Sequence, residues 1–98
     1  MVARRRKRVK SPTARILDKR YGPWRKAVLA RDKHKCRFPG CKARTRLEIH
    51  HIYRWADAVE LRYSVDNAIS LCRTHHRLVT RSEHLYAAIF IEIIRNYK

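Results

Sequence analysis

Acidic residues are scarce in this chain: eight Asp and Glu stand against 25 Lys and Arg, for a formal net charge of +17 over 98 residues. A charge kept only for solubility is a poor explanation, because acidic residues serve solubility better. The imbalance instead attracts polyanions, speeds encounter with them and makes binding salt-dependent. Long apolar runs are missing too. None reaches the length of a membrane-spanning helix, and the N-terminal segment lacks the apolar core of a signal peptide. A membrane surface is therefore the weaker candidate polyanion, and nucleic acid in a cytoplasmic setting the expected one. Cysteine is sparse and odd in number: Cys36, Cys41 and Cys72 do not suit a disulfide framework in a chain without an export signal.

What is present fits one small folded domain. The length suits one domain and not two, and the 45% hydrophobic content is that of a globular protein. A core of this size is marginal alone, so a further staple is expected.

Residues 1–12, opening MVARRRKRVK, read as a basic, flexible arm, and residues 13–98 as a single domain. Ser11 and Pro12 could cap a short helix through Arg15, Ile16 and Leu17 that ends before Gly22-Pro23. Trp24, Ala27, Val28 and Arg31 have helical spacing. Phe38-Pro39-Gly40 is a turn signal between two cysteines. Leu47 to Tyr53 alternates like a strand, and its hairpin partner is expected near Cys36. Residues 54–63, with weak periodicity, read as a loop with room for a short turn of helix. Asp66 is expected to cap a helix carrying Asn67, Ala68, Leu71 and Cys72. From Ser82 to Lys98, Leu85, Tyr86, Ile89, Phe90, Ile93, Ile94 and Tyr97 fill a helical arc of about 180°. That arc is wider than one small core needs, leaving burial within a monomer or contact in a homodimer as its uses.

Two cysteines flank the turn in CRFPGC, which places two thiolates where one tetrahedral zinc can take both. Cys72 and His75, in LCRTHH, form a second pair at C-x-x-H spacing. Cys36, Cys41, Cys72 and His75 are thus a candidate structural zinc set, and zinc would be the missing staple. His50 and His51 are neighbours in LEIHHI; on a strand they point to opposite faces, so both cannot be simple core packing. His76 follows His75 and must point away from the zinc. With Asn67, these residues form a polar constellation that the zinc does not explain.

The string Cys-x4-Cys, Ile49-His50-His51-Ile52, Asn67, Leu71-Cys72-x-x-His75-His76 resembles the HNH endonuclease family over roughly residues 24 to 80. The small size and the Arg31-Asp32 lead-in are similar to phage-encoded HNH proteins. Two departures stand out: many members carry a cysteine where His75 stands, and C-x2-C is more frequent than C-x4-C. The resemblance implies an α+β fold, a ββα-metal core with a zinc knuckle, flanked by N- and C-terminal helices. It implies a metal-dependent DNA endonuclease in which His50 and His76 bind a catalytic divalent ion such as Mg²⁺ or Mn²⁺. His51 would be the general base, and Asn67 would bridge the loop and orient His51. Cleavage would leave a 3′-hydroxyl and a 5′-phosphate. Family likeness also suggests work beside a phage terminase in DNA packaging.

Cationic candidates for DNA phosphates are Arg4, Arg5, Arg6, Lys7, Arg8, Lys10, Arg25, Lys26, Lys42, Arg44, Arg46, Arg54, Arg73 and Arg77. Two other readings compete. A non-catalytic zinc-finger nucleic-acid-binding module, or a structural basic protein, would explain charge and zinc. Neither explains the histidines.

Overall fold

The computed structural model describes residues 18–97. The basic arm, the helix expected around Ser11 to Leu17, the cations Arg4, Arg5, Arg6, Lys7, Arg8 and Lys10, and Lys98 lie outside the described residues. The element order is α1 (Tyr21–Arg31), β1 (Leu47–His51), two short 3-10 turns (Val59–Leu61 and Val65–Asn67), β2 (Ala68–Cys72), α2 (Arg73–Thr80) and α3 (Glu83–Arg95). The expected α+β architecture, with a two-stranded antiparallel sheet and flanking helices, is present.

Gly22-Pro23 lies in the first turn of α1. Proline is tolerated in a first helical turn, where its missing N–H has no partner to lose. Asp18 stands before that turn and accepts the Arg20 N–H at 2.8 Å. The far end of α1 closes through Lys33 and His34 at left-handed φ of 55° and 50°, their N–H groups donating back to the Ala30 and Leu29 carbonyls. Trp24, Val28 and Leu29 face inward.

The strand partner of β1 differs from expectation. It is β2, in the register Leu47↔Cys72, Ile49↔Ser70 and His51↔Ala68, and not a segment near Cys36. The same finding corrects the helix expected from Asp66 to Cys72. Asp66 lies in a 3-10 turn whose cap is the Ser64 hydroxyl, which accepts the Asp66 N–H. All five residues of β2 are buried, so the segment carries no alternation by which a strand is told from a helix. The stretch after Cys36 does reach the sheet, but at β2, where the Arg37 N–H donates to the Ser70 carbonyl at 3.0 Å.

The main core joins Cys36, Ile52, Ile69, Leu71, Cys72, Val79, Ala87, Phe90 and Ile94. α3 is the helix expected, though its buried stripe of Ala87, Phe90 and Ile94 is rotated from the centre of the apolar arc. Leu85 and Ile89 are 63% and 46% exposed, while Ile91 packs on the core.

A buried ion pair ties α1 to the sheet. Asp32 is fully buried; its carboxylate takes the Arg31 guanidinium at 2.9 and 3.0 Å and the Ser70 N–H at 2.8 Å. Arg31 also donates to the carbonyls of Val65 and Ala68. Removing one partner of such a pair strands the other, so Asp32→Ala is expected to cost about 3–5 kcal/mol. Urea unfolding measures this; an unshifted midpoint would show that the pair carries no load.

Candidate functional site

Two segments far apart in sequence meet at a cluster of thiols and one imidazole. The knuckle between Cys36 and Cys41 is closed by the Cys36 N–H to Ala43 carbonyl bond and the Cys41 N–H to Phe38 carbonyl bond, both 2.9 Å. Gly40 makes the turn at φ 83°, a conformation that suits glycine. From the other side come Cys72, the last residue of β2, and His75 in the first turn of α2. The ligand atoms of Cys36, Cys41, Cys72 and His75 all lie within 4.8 Å of one another.

The separations suit zinc. Sγ of Cys41 and Cys72 are 4.0 Å apart, and His75 Nδ1 is 3.8 Å from Cys36 Sγ and 3.3 Å from Cys72 Sγ. Tetrahedral bonds of about 2.3 Å to sulfur and about 2.0 Å to nitrogen put neighbouring ligand atoms ~3.5–3.8 Å apart. Burial pushes the Cys36 thiol up to about 11, so a thiolate there calls for a bound cation. At Cys72 burial acts in the same direction, but the His75 and Thr74 N–H groups at the start of α2 and the neighbouring thiols hold the thiol below its ordinary value. Phe38 stacks on the His75 ring at 4.1 Å and fixes its plane. The predicted zinc set is brought together complete.

Three other histidines gather at a cavity of about 440 Å³ at the end of β1, lined by His50, His51, His76, Arg54, Trp55 and Glu83 among others. Alternation along β1 sends His50 and His51 to different surroundings, yet both reach this cavity. His50 is 3% exposed, with its ring 5.4 Å from that of His76 and 5.7 Å from Phe90. Its Nε2 is buried and makes no hydrogen bond. Burial, helped by the neighbouring His76 and His51, lowers its pKa to about 4, so the ring is neutral and its lone pair available at neutral pH.

His51 lies flat on Trp24, centroids 4.7 Å apart and planes 19° apart, with Trp55 edge-on at 5.5 Å. Its Nε2 is 2.8 Å from the Arg62 carbonyl. A carbonyl only accepts, so Nε2 carries the proton and a neutral ring keeps its lone pair on Nδ1. His76 is turned away from the thiol cluster, and its Nδ1 lies 2.6 Å from Glu48 Oε1. Such a pairing leaves Nε2 as the ring nitrogen that could take a metal.

Asn67 sits in the turn entering β2, not at a helix start. Its Oδ1 accepts the Tyr53 N–H at 2.8 Å, and its Nδ2 donates to the carbonyls of Tyr53 and Leu61. These bonds grip the loop that follows His51 and ends beside Arg62. Among the described candidate cations, Arg54 lines the cavity, Arg73 pairs with Glu48 at 3.8 Å, and Arg77, Lys42, Arg44 and Arg46 are exposed.

Glu48, Trp24 and Glu83 were not singled out by sequence reasoning. Only Glu48 had a usable signal, since it stands two residues before His50 on the same strand face.

One zinc per chain is the expected content, measured by elemental analysis. Cys72→Ser should lose that zinc and the cooperative unfolding transition with it, because structural zinc contributes folding energy. Full zinc content with unchanged melting would refute the shared ligand set.

No helix among the described residues is long and apolar enough to cross a membrane. No curated protein and no solved structure matches the chain. A family model described as HNH endonuclease matches residues 34–82, a span that holds all four residues of the thiol–imidazole cluster, the three cavity histidines and Asn67 and amounts to half of the 98 residues. The chain belongs to the HNH endonuclease family.

Proposed function

We propose that this protein is a metal-dependent DNA endonuclease that hydrolyses phosphodiester bonds, with His51 as general base and His50 and His76 as protein ligands of one divalent ion. The observation that supports this most directly is the convergence of three imidazoles on one cavity, apart from the thiol cluster. The orphaned, buried Nε2 of His50 and the carboxylate-held ring of His76 fit a cation between them. Bound there, Mg²⁺ or Mn²⁺ supplies Lewis-acid stabilisation of the charge that develops on the phosphate and the leaving oxygen.

The chain's own part is positioning and proton transfer. His51 donates through Nε2 to the Arg62 carbonyl and so offers Nδ1 to take a proton from the attacking water. Trp24 and Trp55 restrict the ring's tilt. Asn67 holds the loop that presents the Arg62 carbonyl, and so acts on His51 through that loop. Arg54 at the cavity and the exposed Arg73 and Arg77 of α2 would meet phosphates, and the net charge of +17 would supply the salt-dependent remainder of binding. One such site per chain favours nicking, with a double-strand break requiring two visits or a dimer. A cytoplasmic setting, in phage DNA packaging beside a terminase, belongs to the same proposal and rests on likeness to small phage HNH proteins.

The test is nicking of supercoiled plasmid by zinc-loaded protein across Mg²⁺, Mn²⁺ and related ions. His51→Ala is expected to lose about 10²–10⁴-fold in rate with zinc content and circular dichroism intact. Full activity in that variant would remove His51 from the mechanism. Tight DNA binding without cleavage in any ion would favour the non-catalytic zinc module instead.

A further inference from the structure

The cavity carries a carboxylate that neither the thiol cluster nor the histidines account for. Glu83 is the first residue of α3, one position beyond the matched segment, and it lines the cavity with His50 and His76. Its Oε1 is buried and makes no hydrogen bond. The Arg54 guanidinium faces it at 3.9 Å, outside hydrogen-bond reach. Arg54 also pairs with Asp57 at 3.3 Å, so it can leave Glu83 without losing its only carboxylate.

Orphaned buried polar atoms are rare in folded proteins and ask for an explanation. Here two of them, His50 Nε2 and Glu83 Oε1, belong to side chains that line one cavity, and both can offer lone pairs. A phosphate oxygen would be repelled by the carboxylate; a cation satisfies both groups. The chain has only eight acidic residues, yet Glu48 is bonded to His76 and Glu83 lines the same cavity.

Building on the reading of this cavity as the ion site, we propose that Glu83 is its third protein group, reaching through water a divalent ion held by the two imidazoles. Among the described residues, only the Cys/His set brings three or more ligand atoms within 4.8 Å. Glu83, His50 and His76 are therefore not all within reach of one bare ion, and a bridging water would span the difference. A carboxylate acting through water selects for a hard ion, Mg²⁺ or Mn²⁺, over a thiophilic one.

The experiment is titration of the zinc-loaded full chain with Mn²⁺ without nucleic acid, free Mn²⁺ being followed by electron paramagnetic resonance. Wild type should bind one Mn²⁺ beyond its zinc. Glu83→Gln should weaken that binding about tenfold or more with zinc content unchanged, and His50→Ala should nearly abolish it. Glu83→Gln binding as wild type while His50→Ala fails would overturn the role of Glu83 and leave the ion site standing. Wild type, His50→Ala and His76→Ala binding alike would bring down the ion-site reading itself. A measurement independent of any variant's folding is the Glu83 carboxyl carbon resonance of the unaltered protein. Mn²⁺ should broaden it at substoichiometric ratios; a sharp line throughout refutes the proposal.

Discussion

Four ligand atoms drawn from residues 36–41 and 72–75 lie within 4.8 Å of one another, and the placing of every other site residue follows from that clamp. Cys72 ends β2 and precedes α2, so fixing its sulfur fixes where the strand stops and the helix starts. Successive helical residues turn by about 100°, so a His75 ring held at the thiols obliges His76 to leave on the next face. There it meets Glu48 of β1. The register that sets Leu47 opposite Cys72 then brings His50, three residues on, within 5.4 Å of His76. The clamp thus sets the geometry of the histidine cavity without contributing an atom to it, and a chain of this size has too small a core to hold such geometry unaided.

Charge is distributed with the same economy. A field of +17 draws a polyanion but opposes any small cation that must work beside it. Locally the opposition is relieved. His50 is held neutral by burial, Glu48 lies against His76, and Glu83 is on the cavity wall. Asp32, a third carboxylate of the eight, is spent wholly inside the fold, where Arg31 and the Ser70 N–H neutralise and bond it.

The zinc set was legible because cysteine and histidine at clamp spacing carry their chemistry in their identity. α3 was legible because thirteen residues with period 3.6 outweigh the β-branched content of AIFIEII, although Leu85 and Ile89 show that periodicity locates an apolar arc better than the part of it that is buried. β2 was not legible. Ala68 to Cys72 is buried on both faces, and Asp66 before it looked like a helix cap while the Ser64 hydroxyl did the capping. Glu48 and Trp24 were missed for a different reason. Their partners, His76 and His51, lie 28 and 27 positions away, and only the folded register brings them together.

That long-range dependence bears on where the functional unit ends. The matched segment, residues 34–82, contains all four ligands of the thiol cluster and all three cavity histidines. The two neighbouring imidazoles of β1 point to opposite faces of a two-stranded sheet, and each needs an apolar wall to hold its plane. A main part of each wall lies outside the segment. His51 rests on Trp24 of α1, and His50 packs edge-on near Phe90 of α3. α1 is fastened to the sheet by Arg31 and Asp32, and α3 through Phe90 and Ile94 in the same core as Cys36 and Cys72. A chain cut to 34–82 would keep every atom that can bind zinc, with Trp55 beside His51, and lose the Trp24 and Phe90 surfaces. The helices outside the family segment are therefore part of the site's geometry.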